Sequence, residues 1–153
     1  MKKLISIIVP IYNEAAGLKN FLKKDLIPVL SSLPESVELI LVDDGSPDGT
    51  AKIVHGLIDT EFKDRLFILE RSGKLGLGTA YIKAFKWALE HKYDYIFEMD
   101  ADFSHDPNDV PRLYSACHDE GYDVAIGSRY VSGVHVVNWP IGRNRRSEER
   151  FSR

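Results

Sequence analysis

Five short apolar runs recur along this chain, at residues 4–9, 37–42, 66–69, 95–99 and 124–126. Segments with helical period fill the spaces between them, at 15–33, 50–62, 78–91 and 108–120. Short apolar runs read as buried strands, and apolar residues spaced by three and four read as one face of a helix. In the third helical segment Tyr81, Phe85, Ala88 and Leu89 are expected on one face. Strands that alternate with helices argue for an α/β fold, a mostly parallel sheet flanked by helices. Such sheets bind ligands at the carboxyl ends of their strands. The polar motifs cluster there: Tyr12-Asn13-Glu14 after the first run, Asp43-Asp44 after the second, and Asp100-Ala101-Asp102 after the fourth.

Asp100 and Asp102 carry the sharpest chemical signal. Two carboxylates one residue apart at the end of a buried strand are unfavourable unless something positive meets them. A divalent cation carrying a diphosphate meets that need, because Mg²⁺ and Mn²⁺ take hard oxygen ligands from one or two carboxylates plus substrate phosphates. The plainer reading is a turn in which Asp102 caps the next helix.

A chain of 153 residues suffices for one domain with a sizeable core. Residues 1–142 hold 15 basic against 21 acidic side chains, whereas residues 143–153 hold 5 Arg against 2 Glu. An acidic body argues against nucleic acid as a partner. An anionic substrate then needs local help from a metal or a few arginines. The single cysteine, Cys117, excludes an internal disulfide and fits a reducing, cytoplasmic compartment. The N-terminal run resembles a signal peptide only superficially, since Pro10 interrupts it and Asn13-Glu14 follow. No stretch approaches the length of a transmembrane helix. Residues 1–142 are expected to form the domain. Residues 143–153, with Phe151 as their one large apolar side chain, read as a basic, disordered tail that cannot bury enough surface to offset its ordering entropy.

The remaining motifs are individually less specific. Tyr12 can stack on a base and Glu14 can accept hydrogen bonds from a sugar or a base. The same residues serve equally as a helix entrance with Asn13 as N-cap. In Asp43-Asp44-Gly45-Ser46-Pro47-Asp48-Gly49-Thr50, adjacent acids point to opposite faces of a strand. Asp44 is expected in the cleft and Asp43 against the loop, with Asp48 or Thr50 starting the next helix. Gly73-Lys74-Leu75-Gly76-Leu77-Gly78 opens a helix, where backbone N–H groups approach phosphates. It is neither a P-loop nor a dinucleotide fingerprint, because no Gly-Lys-Ser/Thr ends it and Tyr81 stands where a third glycine is expected. Gly127-Ser128-Arg129-Tyr130 offers a guanidinium that matches phosphate oxygens. His105 reads as a loop residue, or else as a metal ligand.

In this order, Pro-x-Tyr-Asn-Glu, Val-Asp-Asp-Gly-Ser-Pro-Asp-Gly-Thr, Gly-Leu-Gly-Thr-Ala, Asp-Ala-Asp-x-Ser-His and Gly-Ser-Arg-Tyr, the motifs resemble those of the family 2 glycosyltransferases. Within that family they are most similar to dolichyl-phosphate (polyprenyl-phosphate) mannose synthases, over residues 4 to about 143. The resemblance implies a Rossmann-like GT-A fold. It implies transfer of a hexose, mannose from GDP-mannose, to a polyprenyl or dolichyl phosphate with inversion, by an enzyme using Mg²⁺ or Mn²⁺. Pro10, Tyr12, Glu14, Val42 and Asp44 would contact the nucleotide. Asp100, Ala101 and Asp102 would hold the diphosphate and its metal, with Ser104 close to the metal, and Arg129 would meet a phosphate. Asp102 and Arg129 would carry the catalytic roles. The alternatives are a family 2 transferase using UDP-glucose or another donor, and a non-catalytic nucleotide-binding fragment. Family members continue past Arg143 with amphipathic helices that close the site. The expectation here is therefore a C-terminally truncated fold, complete in its donor half, with peripheral contact at the cytoplasmic face of a membrane.

Overall fold

A computed structural model describes residues 4–102 and 104–128. Four strands, β1 (Leu4–Ile11), β2 (Ser36–Asp43), β3 (Leu66–Glu70) and β4 (Tyr95–Glu98), form one parallel sheet in the order β3-β2-β1-β4. The strand order turns back at β1: β2 and β3 lie to one side and β4 to the other. That reversal opens a crevice beyond the carboxyl ends of β1 and β4, the place where open α/β sheets hold ligands.

The pleat sorts the core into two layers. Ile5, Ile7, Val9 and Ile11 of β1 and Val37, Leu39 and Leu41 of β2 face one side, against Phe21, Leu22, Leu26, Val54, Leu57, Val110 and Tyr114. The helices on that side are α1 (Leu18–Asn20), α2 (Ile27–Leu30), α3 (Thr50–Thr60) and α5 (Val110–His118). Ile8, Ile40 and Val42 face the other side, against Ala80, Ala84 and Ala88 of α4 (Leu77–Glu90).

Three sequence expectations shift. The helix expected over 15–33 begins at Leu18 and is π-helical over Phe21–Leu26 before α2. The wider π turn precedes Pro28, whose ring would collide with the carbonyl four residues back in an unbroken α-helix. On α4 the buried stripe is Ala80, Ala84 and Ala88, while Leu89 is 67% exposed and Tyr81 and Phe85 are half-buried flanks. Small side chains let the helix lie close to the sheet, so the larger residues mark the edges of the contact. Finally, residues 124–126 form no strand: Val124 and Ile126 are 72% and 83% exposed, and three residues with no neighbouring strand among those described have no ladder to join.

Candidate active site

The carboxyl ends of β1, β2 and β3 are flush. Ile11 pairs with Asp43 and Asp43 with Glu70, so the loops after all three strands leave the sheet together. On the other side of β1, Glu98 pairs with Ile8, and residues 100–102 run beside the end of β1. The sheet thus brings Tyr12, Glu14, Asp44, Asp100 and Asp102 to one edge. Val42 is wholly buried in the core beneath this edge, so only its backbone faces outward, and Pro10 is half-buried. Arg129, expected at the same edge, lies outside the described residues, as does the tail from Arg143.

The β1 loop is stapled to the loop after β2. Three successive backbone donors, the N–H groups of Asn13, Glu14 and Ala15, bond to Ser46 Oγ, Thr50 Oγ1 and Asp48 Oδ2 at 3.0, 3.0 and 3.1 Å. Asn13 adopts φ +56° and does not cap α1, which starts four residues after Glu14. Asp43 turns into its own loop and accepts from the Ser46 N–H at 3.2 Å and the Ser46 hydroxyl at 2.5 Å. Gly49, at φ +86°, is the N-cap of α3, and Asp48 just before it accepts from the Thr50 N–H at 3.0 Å. Gly45 sits at φ +74°, and a Cβ there would come within 2.9 Å of Gly73 Cα. Glycine is required where these two loops touch.

Asp44 faces the other way from Asp43 and meets a residue that the sequence did not single out. Arg71, the first residue after β3, places Nη1 2.7 Å from Asp44 Oδ1. Both side chains are almost fully buried, and the pair is a close ion contact rather than an aligned hydrogen bond. Arg71 Nη1 also donates to the Gly76 carbonyl at 3.3 Å, and Nη2 donates to Thr79 Oγ1. The glycine-rich loop is therefore tied to Asp44 through one guanidinium. Its position directly after a strand, at the edge where the acids converge, was the available signal. Lys74 of the same loop holds its ammonium 4.5 Å from the centroid of the Tyr12 ring, a cation–π contact.

The acidic segment has its own scaffold. Tyr81 Oη donates to Asp100 Oδ1 at 2.9 Å, and the Asp100 N–H donates to His105 Nδ1 at 3.0 Å. The Ser104 N–H donates to Asp102 Oδ1 at 3.0 Å. Ala101 is buried between the two acids. Burial pushes the Asp102 carboxyl up, but hydrogen bonds from the Ser104 side chain and backbone outweigh it and hold the group below its usual range. Glu14 is pushed up by burial and by the negative charges of Asp102 and Asp48, and Glu98 by burial and Asp100.

Among the described residues no three His, Cys, Asp or Glu side chains form a closed metal site. The donor set nevertheless suits a hard cation. It consists of carboxylate and hydroxyl oxygens from Asp100, Asp102 and Ser104, beside Glu14, which burial and then the charges of Asp102 and Asp48 push up. Mg²⁺ and Mn²⁺ ordinarily complete such sets with substrate phosphates. A concavity of about 520 Å³ lies elsewhere, between α3 and β3 and lined by Ile58, Phe67, Leu69 and Trp87. Asp59, Lys63 and Asp64 also line it, and none of the residues gathered at the carboxyl edge of the sheet does.

The Glycosyl transferase family 2 profile matches residues 6–153 of this chain. The chain belongs to that family. Among its curated relatives, the polyprenol monophosphomannose synthase of Mycolicibacterium smegmatis is 43% identical over 137 residues, 90% of this chain and 49% of that protein. The undecaprenyl-phosphate mannosyltransferase of Micrococcus luteus is 43% identical over 89% of this chain and 52% of its own length. The dolichol-phosphate mannosyltransferase of Saccharomyces cerevisiae is 34% identical over 90% of this chain and 49% of its own. This family 2 chain thus spans about half the length of the curated relatives it matches. Among solved structures, the mannosyltransferase PcManGT of Pyrobaculum calidifontis, in complex with GDP-Man and Mn²⁺, aligns with TM-score 0.54 at 27% identity. That alignment covers 67% of this chain and 28% of that one. S. aureus TarS in complex with UDP aligns with TM-score 0.56 at 25% identity, over 78% and 32%. The α/β fold with its parallel sheet is that of the GT-A transferases. No helix among the described residues is long and apolar enough to cross a membrane.

Proposed function

We propose that this chain is the donor-binding part of a metal-dependent hexosyltransferase that moves mannose from GDP-mannose to a polyprenyl or dolichyl phosphate. The observation that carries the reading is the gathering of Tyr12, Glu14, Asp44, Asp100 and Asp102 along the carboxyl edge of the sheet, in a chain 43% identical to two polyprenyl-phosphate mannosyl enzymes.

Under this reading Tyr12 and Glu14 address the base and ribose from a loop that Ser46, Asp48 and Thr50 hold rigid. Asp44 sits at the base end with Arg71 beside it. Asp100, Asp102 and Ser104 would hold Mg²⁺ or Mn²⁺, which when bound neutralises the charge that develops on the leaving diphosphate. Asp102 is ionised throughout the neutral range, because its carboxyl lies below its ordinary value. Arg129 is assigned to a phosphate of the donor or the acceptor. A phosphate monoester is largely dianionic at neutral pH, with a second pKa of about 6. It therefore attacks the anomeric carbon without a protein base, and a single displacement inverts the centre.

Calorimetric titration of GDP and UDP, each with Mn²⁺ and with EDTA, tests the reading. GDP is expected to bind more tightly with Mn²⁺ and more tightly than UDP, and Asp102→Ala is expected to abolish most of the Mn²⁺ enhancement. Preference for UDP would move the donor toward the uridine class that TarS binds. An unchanged Mn²⁺ enhancement in Asp102→Ala would remove the metal assignment.

A further inference from the structure

Asp100 is gripped at two points by residues from two different parts of the chain. Tyr81, in the first turns of α4, reaches across to the carboxylate and donates to Oδ1 at 2.9 Å. His105, five residues along the same loop, accepts the backbone N–H of Asp100 on Nδ1 at 3.0 Å. An N–H donor requires an unprotonated acceptor, so the proton of the neutral ring sits on Nε2. We propose that Tyr81 and His105 are positioning residues for the acidic segment: Tyr81 fixes the direction of the Asp100 carboxylate and His105 fixes the backbone that carries it.

The proposal rests on the reading of Asp100 and Asp102 as the metal and diphosphate site. Asp100 has like charges close by in Glu98 and Asp102. Left to itself, its carboxylate would turn toward water and away from them. One hydroxyl on Oδ1 holds it, and among the described residues no side-chain hydrogen bond engages Oδ2. Tyr81 suits this task because its ring packs partly buried beside the alanine face of α4 and aims a single hydroxyl donor at Oδ1. The backbone contact matters independently. Asp100 leaves β4 two residues after Glu98, where the ladder to β1 has ended, and the His105 ring supplies a partner that the sheet no longer provides. Ligand-orienting partners of this kind typically change metal affinity by 10–100-fold when removed.

The test compares Tyr81→Phe, His105→Ala and His105→Asn with the unaltered chain. The readout is the Mn²⁺ enhancement, the ratio of GDP affinities with Mn²⁺ and with EDTA, alongside the melting temperature. Tyr81→Phe removes one oxygen and keeps the ring in place; the enhancement is expected to fall about tenfold. His105→Ala is expected to lower it similarly. His105→Asn is expected to restore most of it, because the Asn Oδ1 can accept where Nδ1 did. An enhancement equal to that of the unaltered chain in Tyr81→Phe and His105→Ala overturns the proposal. So does a fall in melting temperature with an unchanged ratio, which would make both residues merely structural. A failure of His105→Asn to restore the enhancement overturns the His105 half. If the unaltered chain itself shows no Mn²⁺ enhancement, the metal reading fails first and the positioning roles fall with it.

Discussion

Asp44 and Arg71 show how one buried contact can organise several loops. Neither charge is solvated, since the side chains are only 11% and 5% exposed. Removing one partner leaves the other buried and uncompensated, which typically destabilises by 3–5 kcal/mol. Arg71 is also bonded to Gly76 and Thr79, so its loss should loosen the glycine-rich loop. Arg71→Met is expected to lower unfolding stability in urea by about 3 kcal/mol. The double variant with Asp44→Leu should recover most of that loss, because no orphan charge remains. A double variant as unstable as the single would show that the pair is not the stabilising contact.

At the scale of elements, the loop after β2 acts as a bracket for the loop after β1. Thr50 is the central peg. Its hydroxyl accepts from the Glu14 N–H at 3.0 Å, donates to Asp48 Oδ1 at 2.5 Å, and is wholly buried at the first turn of α3. Thr50→Val keeps the shape and removes the oxygen. It leaves the Glu14 N–H without its partner, which should destabilise by about 1–3 kcal/mol. Amide exchange at residues 13–15 should accelerate more than exchange in β1 itself. Equal acceleration in both would mean that the loop and the sheet open as one unit.

For the molecule as a whole, the sheet concentrates negative charge at one edge. Glu14 records the consequence, its carboxyl raised above 4.5 by burial and by Asp102 and Asp48. A carboxyl raised in the folded state contributes stability below its unfolded value and loses it as pH rises through the folded value. The ligand-free chain is thus penalised at neutral pH for holding Glu14 ionised. Glu14→Gln is expected to melt at the same temperature as the unaltered chain at about pH 4 and at a higher one at about pH 7, with the gap opening above 4.5. A gap that is constant with pH, or of the opposite sign, would show that Glu14 is not strained by its neighbours. Under the proposed function, a cation bound at this edge would relieve the same repulsion and so couple metal to nucleotide binding.

The alternation of apolar runs and helical periods was sufficient to determine a parallel α/β sheet, because burial on both faces leaves a continuous apolar signature in β1 and β2. The acids at strand ends were legible for the same reason: polar residues that interrupt such runs must lie at the carboxyl edge. Strand alternation put Asp43 and Asp44 on opposite faces, and the structure has Asp43 toward Ser46 and Asp44 buried against Arg71. Local pattern could not reveal partners distant in sequence. Arg71 reaches Asp44 across 27 positions and Tyr81 reaches Asp100 across 19. The lateral order of strands decides such meetings, and periodicity carries no information about that order. The alanine face of α4 was hidden likewise, since how closely a helix approaches a sheet depends on the surface opposite. Composition and period thus determined the layers and the edge where chemistry collects; only the tertiary structure decided which charges meet there, because that depends on which strands are neighbours.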